Sequence, residues 1–395
     1  MWIADSDALL ELCDRIRKSP AIALDTEFTP ERRYVPRFDL LQIGAKDVAA
    51  AIDVRADLDL SPLMDVLSNP KQIVALHSGA TDLAILYRKT GRVPAKIFDT
   101  QLACSMVGYG DRVAYSALVK KVSGVRLLKA ETLTDWSRRP LKSQQVEYAL
   151  DDVRYLLPVY EHLLKKLEEM GRLAWFEEEA KRMLDTELLD PPSPRKSWHQ
   201  FGAWTTLSPR QLGVLIEVSA WREQEAISRN VRPRAILPDG VVVYLARRQP
   251  EKTGDLRENR QIFERTIKEN GRDIVKAIRR GLESPDEHEI TTMKENAPIT
   301  APVGLPELVL SVIQVRAAQE SIAPSLLADS QDIVRLISDF SQGRPSSVRL
   351  LSGWRRELVG RDILRVLTGA ASLGFDPGEG RVRLEQRQPR ETLSE

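Results

Sequence analysis

The stretch Ala21–Pro30 reads AIALDTEFTP. Ala21, Ile22, Ala23, Leu24 and Phe28 suit a buried strand, yet Asp25 and Glu27 lie inside the run. Side chains of a strand alternate faces, so residues two apart point the same way. The two acids therefore stand side by side on one face of an apolar element. Like charges held so close raise each other's pKa or take a cation between them. Any fold of this chain has to satisfy that strand.

Two other segments offer further acids. IVALHSGATDLAIL, from Ile73, reads as an apolar strand, a turn of small residues (Ser78, Gly79, Ala80), and a helix with Asp82 in its first turn. An acid there is also what a helix N-terminus favours, so Asp82 alone leaves both readings open. In SQQVEYALDDVRYLLPVY, from Ser143, Tyr148 and Asp152 are four apart and share a helix face that Leu156 and Val159 continue inward. A buried lone carboxylate is costly, so Asp152 needs a partner. Asp151 is rotated by about 100° and reads as solvated. Tyr148 is either a tyrosine covering the core or a phenol aimed at an activated water.

The 395 residues suit two or three domains. No apolar run approaches the roughly 20 residues of a membrane span, and the N-terminus lacks a signal-peptide pattern. Cys13 and Cys104 are too few and too far apart for a disulfide framework or a zinc site, which fits a reducing cytoplasm. Before LDPPSPRKS (Leu189–Ser197), the β-like runs AIALDTEF, LLQIGA, VAAAIDV and QIVALHS precede helical patterns, the last a long one from Ser143 to Met170. That order indicates a mixed α/β sheet covered by helices. After the proline-rich linker the pattern is all-helical. It opens on Ser208, Pro209 and Gln211, an N-cap, a first-turn proline and a capping-box partner. Residues 222–280 hold 15 basic and 9 acidic side chains, an excess of six (15 − 9), with Arg222, Arg229, Arg232, Arg234, Arg247 and Arg248 the densest set.

DTEF on a strand, HSGATDL at a strand-to-helix turn and YALDDVRYL on a helix resemble the three motifs of the DEDD exonuclease superfamily, with Tyr148 matching its tyrosine subclass. Together with DTQLA, LLKAETLTDWSRRPL and the late LSGWRREL, in that order, they resemble the ribonuclease D family over nearly the whole chain. The resemblance implies a ribonuclease H-like α/β domain over residues 1–190 and a linker over 191–203. A helicase-and-RNase-D C-terminal (HRDC) domain would follow over 204–284, then a linker at 285–305. A second, diverged HRDC-like helical domain would span 306–376, with a tail at 377–395. It further implies that Asp25, Glu27, Asp82 and Asp152 hold two Mg²⁺ or Mn²⁺ ions, with Tyr148 orienting the attacking water or taking its proton.

The implied reaction is hydrolytic 3′→5′ removal of 5′-mononucleotides. The implied substrates are precursor tRNA 3′ ends and other small structured RNAs, processed by a cytoplasmic monomer with no membrane partner. Competing readings are a DNA-directed exonuclease with the same acids and a non-catalytic nucleic-acid-binding protein on the same scaffold. Substrate-contact candidates are Phe28 (base stacking or core packing), Gln42 (backbone or substrate), His77 (substrate or structural bond), and Lys129, Arg138 and Arg139 (phosphate or solvent). Truncation near Pro192 is expected to leave a folded nuclease, because the strand and helix pattern carrying all four acids lies upstream, with the helical units gripping structured RNA.

Overall fold

The computed structural model describes residues 1–29, 33–127, 134–190, 193–283 and 301–387. Six strands, β1 (Trp2–Ile3), β2 (Ala21–Thr29), β3 (Arg37–Ala45), β4 (Val48–Ile52), β5 (Ile73–Leu76) and β6 (Ile97–Asp99), form one mixed sheet ordered β1-β4-β3-β2-β5-β6. The acid-bearing β2 lies at its centre, antiparallel to β3 and parallel to β5. Four of the strands coincide with the runs expected from the sequence. β1 and β6 have two and three residues, too short to show a period.

Alternation along β2 gives its two faces different duties. Ile22 and Leu24 point into the main core with Leu41, Ile43, Val74 and Leu76. The opposite face is built of small side chains. Ala23 and Ala75 meet Val153 and Leu156, while Leu40 and Ala51 meet Ala149, Leu150 and Trp136. The helix Ser143–Arg154 lies on this face. It approaches closely because Gly44, paired with Ala23 across β2 and β3, has no Cβ. A Cβ at Gly44 would stand 2.9 Å from the Val153 carbonyl oxygen and 3.0 Å from the Val153 Cβ. The expected long helix breaks at Tyr155 into Ser143–Arg154 and Leu156–Glu169. Pro158 accounts for the break, since it has no N–H for the Arg154 carbonyl and its ring crowds that group.

Beyond the nuclease domain, Pro209–Arg229 starts with the expected capping box, Ser208 accepting from the Gln211 N–H and Gln211 from the Ser208 N–H. This unit has its own core, into which Tyr34 of the nuclease domain also packs. Arg222 is buried, donating to the Leu237 carbonyl and Asp239. Arg229 pairs with Glu225 and Glu269, and Arg234 with Asp239. Three of the six arginines of the densest basic set are thus paired with acids of the same domain.

The last unit departs from the sequence reading twice. Its helices Leu305–Gln319 and Ser330–Ser341 are followed by a hairpin, β7 (Ala371–Asp376) and β8 (Arg381–Gln386), where helix end and free tail were expected. The turn signal was present in DPGEG, where the Asp376 carboxylate accepts from the Gly378 and Glu379 N–H groups and Gly380 is left-handed. This unit also shares one continuous core with the nuclease domain. The Ala323 N–H donates to the Ser105 carbonyl at 2.8 Å, and Arg172 donates to the carbonyls of Met106 and Glu320. Trp175 stacks on Trp354 at 4.9 Å, and buried Arg355 bonds Glu179 at 2.5 Å. The expectation of a nuclease that stands without the C-terminal units is therefore corrected, because part of its core comes from the last of them.

Candidate metal centre

The register of β2 and the seating of the Ser143–Arg154 helix bring three acids together. Asp25, Glu27 and Asp152 each present a carboxylate oxygen, and these oxygens lie within 4.8 Å of one another. This is the one such group of acids, histidines and cysteines among the described residues. Asp82 stands beside the triplet. It sits in the first turn of the helix Ala80–Thr90, which follows β5 through a turn held by the Gly79 N–H donating to Asp99 at 2.7 Å. Its carboxylate accepts a short hydrogen bond from the Thr26 hydroxyl, so the residue between the two β2 acids reaches from the other face to fix the fourth.

The electrostatics are those of crowded, half-buried acids. Burial, together with Asp82, Asp152 and Glu27, holds Asp25 well above the usual carboxylate range. Burial and the charges of Asp152 and Asp82 push Glu27 up to about 9. Burial and neighbouring Asp151 lift Asp152 to about 7, and burial lifts Asp82 to about 6 against the Thr26 bond that lowers it. Without a cation the cluster keeps protons at neutral pH. Hard oxygen donors gathered without a basic partner among the described residues suit divalent cations.

Tyr148 is half-buried one turn before Asp152, its ring 6.3 Å from that of Trp136. Asp151, one residue from Asp152, turns outward and pairs with Arg154 at 2.9 Å. Phe28 follows a bulge at Glu27/Phe28, is half-buried, and belongs to none of the core clusters among the described residues. Lys129 lies outside the described residues.

Three substrate-contact expectations change. Arg139 is occupied inside the domain, donating to both Asp53 oxygens and to the carbonyls of Asp39, Trp136 and Arg138, which leaves its planar fork no phosphate to grip. The His77 Nδ1 donates to the Thr100 hydroxyl at 2.8 Å, since that hydroxyl already donates to the Leu76 carbonyl. This is the structural reading of His77, and burial holds its pKa below the usual value. Gln42 is fully buried and reaches no substrate. Arg138, in contrast, remains mostly exposed in a pair with Asp135.

One neighbour went unrecognised in the sequence. The Tyr115 hydroxyl donates to the Asp151 carbonyl at 3.2 Å, and its ring lies 5.4 Å from that of His77. Burial, and then the charges of Asp152, Asp25 and Asp151, raise its pKa. No local pattern separates Tyr115 from an ordinary core tyrosine.

Known proteins resemble this chain in sequence and fold. Residues 1–168 match the 3′–5′ exonuclease family and residues 211–278 the HRDC domain family. Ribonuclease D of Nitrobacter hamburgensis is 34% identical over 97% of this chain and 99% of its own. That of Acidiphilium cryptum is 36% identical over 94% of each. The crystal structure of Escherichia coli RNase D, described as an exoribonuclease involved in structured RNA processing, superposes with a TM-score of 0.81 at 29% identity, covering 93% of this chain and 98% of that one.

Proposed function

This chain belongs to the ribonuclease D family of 3′→5′ exoribonucleases, and from that membership we propose that Asp25, Glu27, Asp82 and Asp152 are its divalent-metal ligands and Tyr148 its proton-handling group. The family implies divalent metal ions, and we assign them as Mg²⁺ or Mn²⁺. The convergence of the Asp25, Glu27 and Asp152 oxygens within 4.8 Å carries this reading. Two bound cations supply Lewis acidity at the scissile phosphate and ease deprotonation of the attacking water. The residues do the rest. Asp25 and Glu27 offer ligands from a strand that pairs with β3 through both acids and with β5 up to Ala23. Thr26 fixes Asp82, and Asp152 arrives on a helix pressed against the sheet at Gly44. Tyr148 orients the attacking water or accepts its proton, and Phe28 lies against the terminal base.

The product is a 5′-mononucleotide, and the substrates are the 3′ ends of precursor tRNA and other small structured RNAs, in the cytoplasm. The HRDC domain supports this reading, since a second module can hold the body of a folded RNA through phosphates and shape. The experiment uses end-labelled RNA and DNA of one sequence, each with free and blocked 3′ ends, on the full-length protein. Stepwise mononucleotide release from unblocked RNA, stopped by chelator and by Asp25→Asn or Glu27→Gln, is expected. Preference for DNA, or activity that survives both substitutions, overturns the assignment.

A further inference from the structure

Gln42 lies directly across from Asp25, in register on β3, so both side chains occupy the acid-bearing face. Its neighbours on that strand face are Leu40, under Ala149 and Leu150, and Gly44, under Val153. The amide is thus caught between the sheet and the helix that carries Asp152. It is 0% exposed, and both Nε2 and Oε1 lack a hydrogen-bond partner. Buried amides are nearly always bonded, because an unbonded one forfeits its hydration for nothing. A methionine or leucine would fill the same space without that loss. The amide's worth therefore has to come from a state of the site in which it is bonded.

Resting on the two-cation reading above, we propose that Gln42 is a positioning residue for Asp25. With cations bound, its Nε2–H donates to the Asp25 carboxylate oxygen turned away from them and fixes that ligand's rotamer. Ligating carboxylates are commonly held this way, and loss of such a partner weakens metal binding by about 10–100-fold.

The test is Gln42→Met in the full-length protein, with Gln42→Asn as a shorter amide. Free Mn²⁺ is titrated by electron paramagnetic resonance, and melting is followed in chelator and in Mn²⁺. The expected result for Gln42→Met is a Tm in chelator equal to or above wild type, with a Mn²⁺ Kd raised about 10-fold or more. kcat on a short RNA should fall in step while KM holds. Gln42→Asn should also weaken Mn²⁺ binding. A lower Tm in chelator with unchanged Mn²⁺ affinity, or a Gln42→Met protein that cannot fold, reduces Gln42 to packing and overturns the proposal. Failure of the wild-type protein to bind Mn²⁺ would instead sink the metal centre itself.

Discussion

Gly44→Ala tests how the site is assembled without touching a ligand. The added Cβ would meet the Val153 carbonyl oxygen at 2.9 Å and the Cβ atoms of Val153 and Ala23 at 3.0 and 3.2 Å. None of these is the far end of a flexible side chain, so the helix Ser143–Arg154 must lift from the sheet. Restoring ordinary contact takes roughly 0.5 Å, and overpacking of this kind costs about 1–3 kcal/mol. Asp152 is the next residue after Val153, so the same movement carries it away from Asp25 and Glu27. Misplacement of a reacting group on the ångström scale costs up to about 10²-fold in rate. The expected outcome is a lower Tm, a kcat on short RNA reduced by about 10-fold or more, and a shift to higher Mn²⁺ requirement that excess Mn²⁺ partly reverses. Gly254→Ala, whose Cβ would meet nothing within 4 Å, serves as the control. A Gly44→Ala enzyme with wild-type kcat and metal requirement would refute the claim that helix–sheet spacing sets the site.

Three further outcomes follow from the same geometry. The acids have raised pKa values in the folded, metal-free protein, so it binds more protons than the unfolded chain, and their stabilising effect is complete below about pH 4. It is lost as pH rises through about 6, 7 and 9, the values for Asp82, Asp152 and Glu27, so Tm in chelator should fall over that range. Mn²⁺ should flatten the fall, and Glu27→Gln should shrink it. Tyr148→Phe keeps the ring against Trp136 and should lower kcat by roughly 10²–10⁴ with RNA binding little changed. Asp152→Asn should be at least as severe, while Asp151→Asn should be mild, because Asp151 only pairs with Arg154; equal losses from both aspartates would contradict the assigned helix face. Ending the chain at Asp190 should give an aggregating or non-cooperatively melting fragment, since it strips Trp354 from Trp175, Glu320 from Arg172 and Arg355 from buried Glu179, and a soluble fragment with a sharp melt would contradict the shared core.

The acids were legible because their signals are local. Two carboxylates in a β-period run, an acid in a first helical turn, and a tyrosine and aspartate four apart each announce a face before any tertiary contact is known. Helix N-caps were legible for the same reason, as at Ser208. What escaped depends on partners distant in sequence. β1 exists because β4 pairs with it, and Thr26 matters because Asp82 lies against it. Arg139 looks like any surface arginine until Asp53 and Asp39 surround it, and Gln42 like any strand glutamine until the helix closes over it. The docking of the last unit rests in part on Arg355 meeting Glu179 across 176 residues, and no period in either segment announces that pairing.

That docking has a consequence in time. The Ser105 carbonyl and the Ala323 N–H that bonds it are separated by 218 residues (323 − 105). A ribosome adding roughly 5–20 residues per second takes about 10–40 s to supply the second after the first. Over the last 133 of those residues (323 − 190) the nascent nuclease domain already holds all four acids and Tyr148 but displays Trp175 without Trp354 and Glu179 without Arg355. Its sheet can close while its surface cannot, and the dependence of its yield on chaperones should therefore track translation speed downstream of residue 190.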